Sequence, residues 1–220
     1  MTERLRHIAI EGPIGVGKTT LARRLAEHFD AEPVFEKPED NPFLERFYDD
    51  IAGYAFQAQL FFLFQRVRQL QVVQQPGIFS RGVVSDFMLA KDAIFARMNL
   101  SDDEYPLYLQ MYQQVALQVP QPDVVIWLQA SPATLLGRVR RRGISMVQRI
   151  PTDYLERLSV AYVDFFRNYA GAPVLAIDTE RVDPTTEPGA ALLIDALCRF
   201  DAPRGVFELS AGATLKPVFD

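Results

Sequence analysis

Gly12-Pro13-Ile14-Gly15-Val16-Gly17-Lys18-Thr19 follows an apolar run at residues 7–10 and leads directly into Leu21-Ala22-Arg23-Arg24-Leu25-Ala26. The octet satisfies G-x-x-x-x-G-K-[ST] between a strand pattern and a helix pattern, the context that a phosphate-binding loop requires. Each residue type has a physical task. Glycines let the backbone turn its N–H groups inward, and the helix start adds unpaired N–H groups with the positive end of its dipole. Lys18 is expected to reach the β- and γ-phosphates of ATP, and Thr19 to offer its hydroxyl to Mg²⁺. The candidate ATP-binding set is therefore Gly12, Pro13, Ile14, Gly15, Val16, Gly17, Lys18, Thr19 and Thr20. No Asn-Lys-x-Asp run is present to read guanine, which argues against a GTP switch.

Outward from this loop, short β-rich runs at residues 7–10, 33–35, 82–85, 124–128 and 173–177 alternate with helical patterns. This alternation predicts an α/β fold, a doubly wound five-stranded parallel sheet flanked by helices. Phe56, Leu60, Leu63, Phe64, Val67 and Leu70 recur at helical spacing, as do Tyr154, Leu155, Leu158, Ala161, Tyr162 and Phe165. Ser101-Asp102-Asp103-Glu104 is a helix-opening signature for residues 101–119. Residues 183–189 read as a loop before a short helix that ends near Cys198. A catalytic domain over residues 1–200 is expected, with 201–220 an appended strand or a tail.

With 220 residues, 49% apolar and 23% charged, the chain has the composition of one packed domain. Its net charge of −5 argues against a nucleic-acid polymer as partner, because phosphate neutralisation needs a basic surface. The single cysteine, Cys198, excludes an internal disulfide, and the first residues lack a signal-peptide pattern. The apolar stretch at residues 54–73 is interrupted by Gln57, Gln59, Gln65, Arg66 and Arg68 and is not a membrane span. A cytoplasmic protein is expected.

Phosphoryl transfer to a hydroxyl requires a carboxylate that takes its proton, and a second acidic group for the metal. Glu36 and Asp86 each stand at the C-terminal end of a predicted strand, where open α/β sheets bind ligands. Without a ligand they would read as a solvated loop residue and a helix cap. Arg138, Arg140, Arg141 and Arg142 crowd a helix end before Gly143. Such arginines complement the helix dipole, and they also suit a lid whose Arg138 and Arg142, one turn apart, close over the transferring phosphate.

With these residues in view, the chain resembles the deoxyribonucleoside kinase family, and within it the bacterial deoxyadenosine/deoxyguanosine kinase branch. The resemblance covers about residues 5–170. It is carried by the phosphate loop, by Glu36-Lys37-Pro38-Glu39-Asp40-Asn41-Pro42-Phe43-Leu44, and by Tyr48. Gln59 with Arg66 seven residues later, and the arginine-rich segment before Ile150-Pro151-Thr152-Asp153-Tyr154-Leu155, complete it. It implies Glu36 as general base, Gln59 as the amide on the base edge, Tyr48 as a sugar contact, Arg66 beside them, and a homodimer. Gln59, Phe62 and Arg66 fall at i, i+3 and i+7 and so share a helix face. By themselves, Gln59 would read as an exposed helix position and Phe62 as core.

The chain departs from the family pattern in three places. Where an acidic-Arg-Ser motif is normal, Asp86-Phe87-Met88 keeps the acid and lacks the arginine, and Lys91 is a candidate for the missing charge. Asp92, six residues after Asp86, corresponds to an aspartate near the base pocket. Ile144 replaces a lid arginine, and Val147 a sugar-binding glutamate. The expected reaction is ATP-dependent phosphorylation of a deoxyribonucleoside 5′-hydroxyl, with purines favoured. Two alternatives are a thymidylate-kinase-like monophosphate kinase and a non-catalytic ATP-binding module.

Overall fold

Every residue of strand β1 (His7–Glu11) is buried, and its side chains divide between two cores. Ile8 and Ile10 pack with Leu21, Leu25 and Leu193, while Ala9 faces Tyr162 and Phe166 on the other side. A strand covered on both faces has no solvent side to make polar, so its sequence is apolar almost throughout. Strands β4 (Val124–Gln129) and β5 (Val174–Asp178) follow the same rule: Ile126 and Ile177 point into the first core, Trp127 and Ala176 into the second.

The computed structural model describes residues 5–74, 81–142, 151–200, 204–210, 212 and 214–219. Among these, β1, β4 and β5 join β2 (Glu32–Val34), β3 (Val83–Ser85), β6 (Val206–Leu209) and β7 (Leu215–Pro217) in one sheet of order β2-β3-β1-β4-β5-β6-β7. The five expected strands are present and mutually parallel. The sheet nevertheless has seven: β6 adds in parallel to β5, and β7 turns back antiparallel on β6. These short strands at the sheet's edge bury only Val206 and Leu209, too brief an alternation to separate a strand from a tail in the sequence.

Helices α1 (Lys18–Phe29) and α8 (Glu187–Arg199) cover one face of the sheet. Helices α4 (Asp92–Asn99) and α7 (Thr152–Asn168) cover the other. A third cluster forms where α2 (Leu44–Asp49), α3 (Ile51–Leu70) and α5 (Glu104–Ala116) pack on β3 through Leu44, Leu63, Val67, Tyr108 and Val83. Before α5, Ser101 and Glu104 form the reciprocal bonds of a capping box, the Glu104 N–H donating to Ser101 Oγ over 3.3 Å and the Ser101 N–H to Glu104 Oε2 over 3.0 Å. Helix α6 (Pro132–Arg142) follows β4 and carries the arginines.

The chain leaves β1 for one side of the sheet through β2 and β3, then crosses to the other side at β4. The crevice opens at this reversal, beyond the C-terminal ends of β1, β2 and β3. Those ends carry the phosphate loop, Glu36 and Asp86.

Candidate active site

The phosphate loop has the strained backbone its glycines permit. Gly17, with φ of 108°, stands before α1, and no side chain caps that helix or places an acid in its first turn. Its first N–H groups are thus left for an anion. A Cβ on Gly12 would sit 2.3 Å from the Leu128 carbonyl oxygen, so only glycine lets the loop pass β4 this closely. Lys18 folds over the loop and donates to the carbonyls of Gly12, at 2.8 Å, and Pro13, at 3.2 Å. Burial, with repulsion from the Lys91 ammonium next, pushes the Lys18 ammonium below the usual lysine range, against the pull of Glu11, Glu36 and Asp86.

The structure brings Thr19 and Asp86 together. The Thr19 hydroxyl donates to Asp86 Oδ2 over 2.6 Å, while Asp86 Oδ1 accepts the backbone N–H of Glu36 over 2.7 Å. Asp86 is therefore not a helix cap; it ties β3 to the loop after β2. A hydroxyl and a carboxylate beside the phosphate loop form a hard oxygen donor set that suits Mg²⁺, which takes its other ligands from phosphate and water.

Glu36 is held from two directions. Arg66 donates through Nε to Oε1 over 2.7 Å and places a second guanidinium nitrogen 2.6 Å from it, while Lys91 Nζ donates to Oε2 over 2.9 Å. Burial pushes the Glu36 carboxyl up, but Arg66 and then Lys91 outweigh it and hold the group at about 2. Arg66 also pairs with Asp92, which is fully buried. For Asp92, burial outweighs Arg66 and Lys91, and Glu36 adds to the upward push, to about 6. The Arg66 guanidinium lies 4.7 Å from the centre of the Phe62 ring.

One cavity of about 590 Å³ unites these groups. Gly12, Ile14, Gly15, Lys18 and Thr19 line it together with Glu36, Asp86, Tyr48, Gln59, Phe62 and Arg66, and the bonds from Thr19 through Asp86 and Glu36 to Arg66 link the loop to α3. Gln59 is 4% exposed, and its Oε1 has no hydrogen-bond partner among the described residues. It is therefore not the surface position its composition suggests, and an unpartnered buried acceptor beside a cavity has a reason to meet a ligand. Phe62 is half-buried, neither core nor surface. Burial raises the Tyr48 hydroxyl well above the usual tyrosine range, and it stays a neutral donor and acceptor.

Other expected residues stand outside this wall. Asp92 lies behind Arg66, Val16 is buried under the loop, and Thr20 is exposed on α1. Pro13 borders a smaller cavity of about 250 Å³. Arg138 does not reach into the main cavity: it donates to Thr179 Oγ1 over 2.8 Å and to the Val16 carbonyl over 3.4 Å, bracing the back of the loop against the end of β5. The Arg142 side chain, Gly143, Ile144 and Val147 lie outside the described residues.

The residue that sequence reasoning missed is Glu11. It is fully buried at the end of β1 and accepts from the N–H groups of Gly12 and Met88 and from the Tyr162 hydroxyl, at 2.9 to 3.1 Å. One carboxylate thus fixes the loop's first residue, the segment after β3 and α7 together. Its signal was a charge closing an otherwise apolar strand. Tyr154 and Tyr162, expected only as helix packing, also line the cavity, as does Phe95.

The family model for deoxynucleoside kinases matches residues 8–192. A deoxyguanosine kinase of Bacillus subtilis is 40% identical over 157 residues, covering 70% of this chain and 75% of that protein. A deoxyadenosine kinase of Dictyostelium discoideum is 36% identical over 186 residues, covering 81% and 74%. The structure of deoxyadenosine kinase from M. mycoides with bound dATP superimposes with a TM-score of 0.77 at 27% identity, covering 88% of this chain and 99% of that one. A phosphate loop, a carboxylate held by two cations and an amide-bearing cavity, on a fold shared with these enzymes, have one common reading: the chain belongs to the deoxynucleoside kinase family and is a phosphotransferase.

Proposed function

We propose that the protein transfers the γ-phosphate of ATP to the 5′-hydroxyl of a purine deoxynucleoside. The observation that carries this reading is the single cavity running from the phosphate loop past Glu36 to Gln59. ATP sits with its phosphates on the N–H groups of the loop and with Lys18 on the β- and γ-phosphates. The nucleoside lies at the far end, its base edge on the Gln59 amide, its face against Phe62 and its sugar toward Tyr48. As the 5′-oxygen bonds to phosphorus, its proton passes to Glu36 and the bond to the β-phosphate oxygen breaks, releasing ADP. Thr19 and Asp86 would hold Mg²⁺, which when bound neutralises charge on the β- and γ-phosphates.

Arg66 orients Glu36, and Asp92 in turn orients Arg66. Arg138 belongs to the donor side, where it secures the loop, and Arg142, one turn further on, is the closing cation. An amide offers an acceptor and donors together, a pattern complementary to the adenine N6/N7 edge. The deoxyguanosine and deoxyadenosine kinases named above support the purine assignment. A cytoplasmic location is part of this proposal; among the described residues no helix is long and apolar enough to cross a membrane. The exposed Phe64 on α3 and Leu107 on α5 supply apolar surface for a homodimer. In this reading residues 1–200 carry the catalysis.

An ADP-release assay with the four deoxynucleosides and their 5′-monophosphates tests the proposal. Deoxyadenosine or deoxyguanosine should turn over fastest. A preference for monophosphates would overturn the acceptor assignment, and a preference for thymidine or deoxycytidine the purine one.

A further inference from the structure

Lys91 is the one cation on Glu36 with no second carboxylate bonded to it: Arg66 is bound to Asp92 as well, whereas Lys91 bonds Glu36 Oε2 alone among the described residues. It stands at the last residue of a short turn before α4, is 3% exposed, and lines the cavity together with Lys18. Phe87 and Phe95 flank its ammonium at 5.7 and 5.9 Å, so aromatic rings cover part of it. Two ammonium groups on one cavity, Lys91 buried and Lys18 half-buried, repel each other. Such a pair is stable only with an anion between its members. Glu36 supplies one negative charge, and the transferring phosphoryl group brings more.

Resting on the proposed kinase reading, we propose that Lys91 is a second phosphate-directed cation, which the γ-phosphate of ATP draws from Glu36 and which then stabilises the phosphoryl group in transit. The exchange serves both partners. The ammonium keeps a counter-ion, and the carboxylate loses one of the two cations that suppress its basicity at the moment it must accept the 5′-hydroxyl proton. No bond to Lys91 forms or breaks, and the displaced proton goes to Glu36. The charged groups facing this exchange are Lys18 and Glu11 at the loop, Asp86 after β3, Arg66 on α3 and Asp92 on α4.

The test compares wild type with Lys91→Gln, which keeps a donor for Glu36 without the charge, and Lys91→Arg, which keeps the charge. Calorimetric affinities for ADP and ATP are measured beside steady-state kinetics with the best deoxynucleoside, and folding is checked by thermal melting. Lys91→Gln should lower kcat by about 100-fold and weaken ATP relative to ADP by about tenfold, with the KM for nucleoside little changed. Lys91→Arg should recover most of both losses. An unchanged kcat and ATP:ADP ratio would overturn the proposal, as would a loss confined to the nucleoside KM. If Lys91→Gln fails to fold, Lys91→Arg decides alone: wild-type ATP:ADP preference with substantial turnover supports the role, and a folded but inactive enzyme overturns it. Failure of wild type itself to phosphorylate any deoxynucleoside would instead defeat the kinase reading.

Discussion

Replacing Glu36 with Gln probes the chemistry at its centre, because the amide has the size of the carboxylate but cannot accept the proton. General bases contribute about 10²- to 10⁴-fold. In the free enzyme Arg66 and Lys91 hold the carboxyl at about 2, and with Lys91 drawn to the phosphate Arg66 still keeps it a weak base, which places its contribution at the low end of that range. We therefore expect kcat to fall by about 10²-fold, equivalent to about 2.7 kcal/mol, while the KM for ATP changes by less than about threefold. The substitution also leaves Arg66 and Lys91 without their shared anion. Removing one partner of a buried ion pair costs about 3 kcal/mol, which for a chain of this size lowers Tm by about 6 to 12 °C. An assay at 25 °C thus still measures folded enzyme, and a melting curve on the same sample separates lost chemistry from lost structure. Glu36 is ionised in the free enzyme at any pH above about 3, so loss of wild-type activity between pH 6 and 4 cannot come from this group. A folded Glu36→Gln variant with kcat within threefold of wild type would refute the assignment and move the base to Asp86.

Lys18→Ala should abolish transfer, because the lysine supplies charge to the phosphates rather than core packing; a purified, folded variant with near-normal turnover would remove the phosphate loop from the mechanism. Gln59→Ala should cost about tenfold or more in kcat/KM for the best nucleoside and much less for ATP, since the base edge loses its partner; equal losses for all four deoxynucleosides would exclude Gln59 from base reading. His7, buried with one ring nitrogen 2.8 Å from Ser85 Oγ, is pushed down by burial to about 4, against the pull of Asp123. A group whose folded value lies below its unfolded one contributes stability present above pH 6.5 and lost as pH falls through 4, here up to about 3 kcal/mol. Asp92, raised to about 6, works in the opposite sense, its contribution lost as pH rises through 6. Denaturant melts from pH 7 to 4 should show a steeper loss for wild type than for His7→Leu, and parallel curves would exclude His7 as the source.

Much of this protein was legible in its residues because the relevant physics is local. A phosphate loop is specified by glycines, a lysine and a hydroxyl within eight positions, and strands buried on both faces announce themselves as apolar runs. The ends of β2 and β3 then pointed to Glu36 and Asp86, and helical periodicity set Gln59, Phe62 and Arg66 on one face. What the sequence could not hold was the pairing of distant charges. That Glu36 is shared by Arg66, 30 positions away, and Lys91, 55 away, depends on how α3 and the turn before α4 pack over β2 and β3. The same holds for Glu11, whose three donors come from Gly12, Met88 and Tyr162. Arg138, expected as a lid cation over the transferring phosphate, instead bonds Thr179 and Val16, a placement that follows from the juxtaposition of α6, β5 and the loop. Residue type and spacing determine which groups can bind phosphate or accept a proton; tertiary packing determines which charges neutralise one another, because a buried charge takes its partner from whatever the fold brings within about 3 Å.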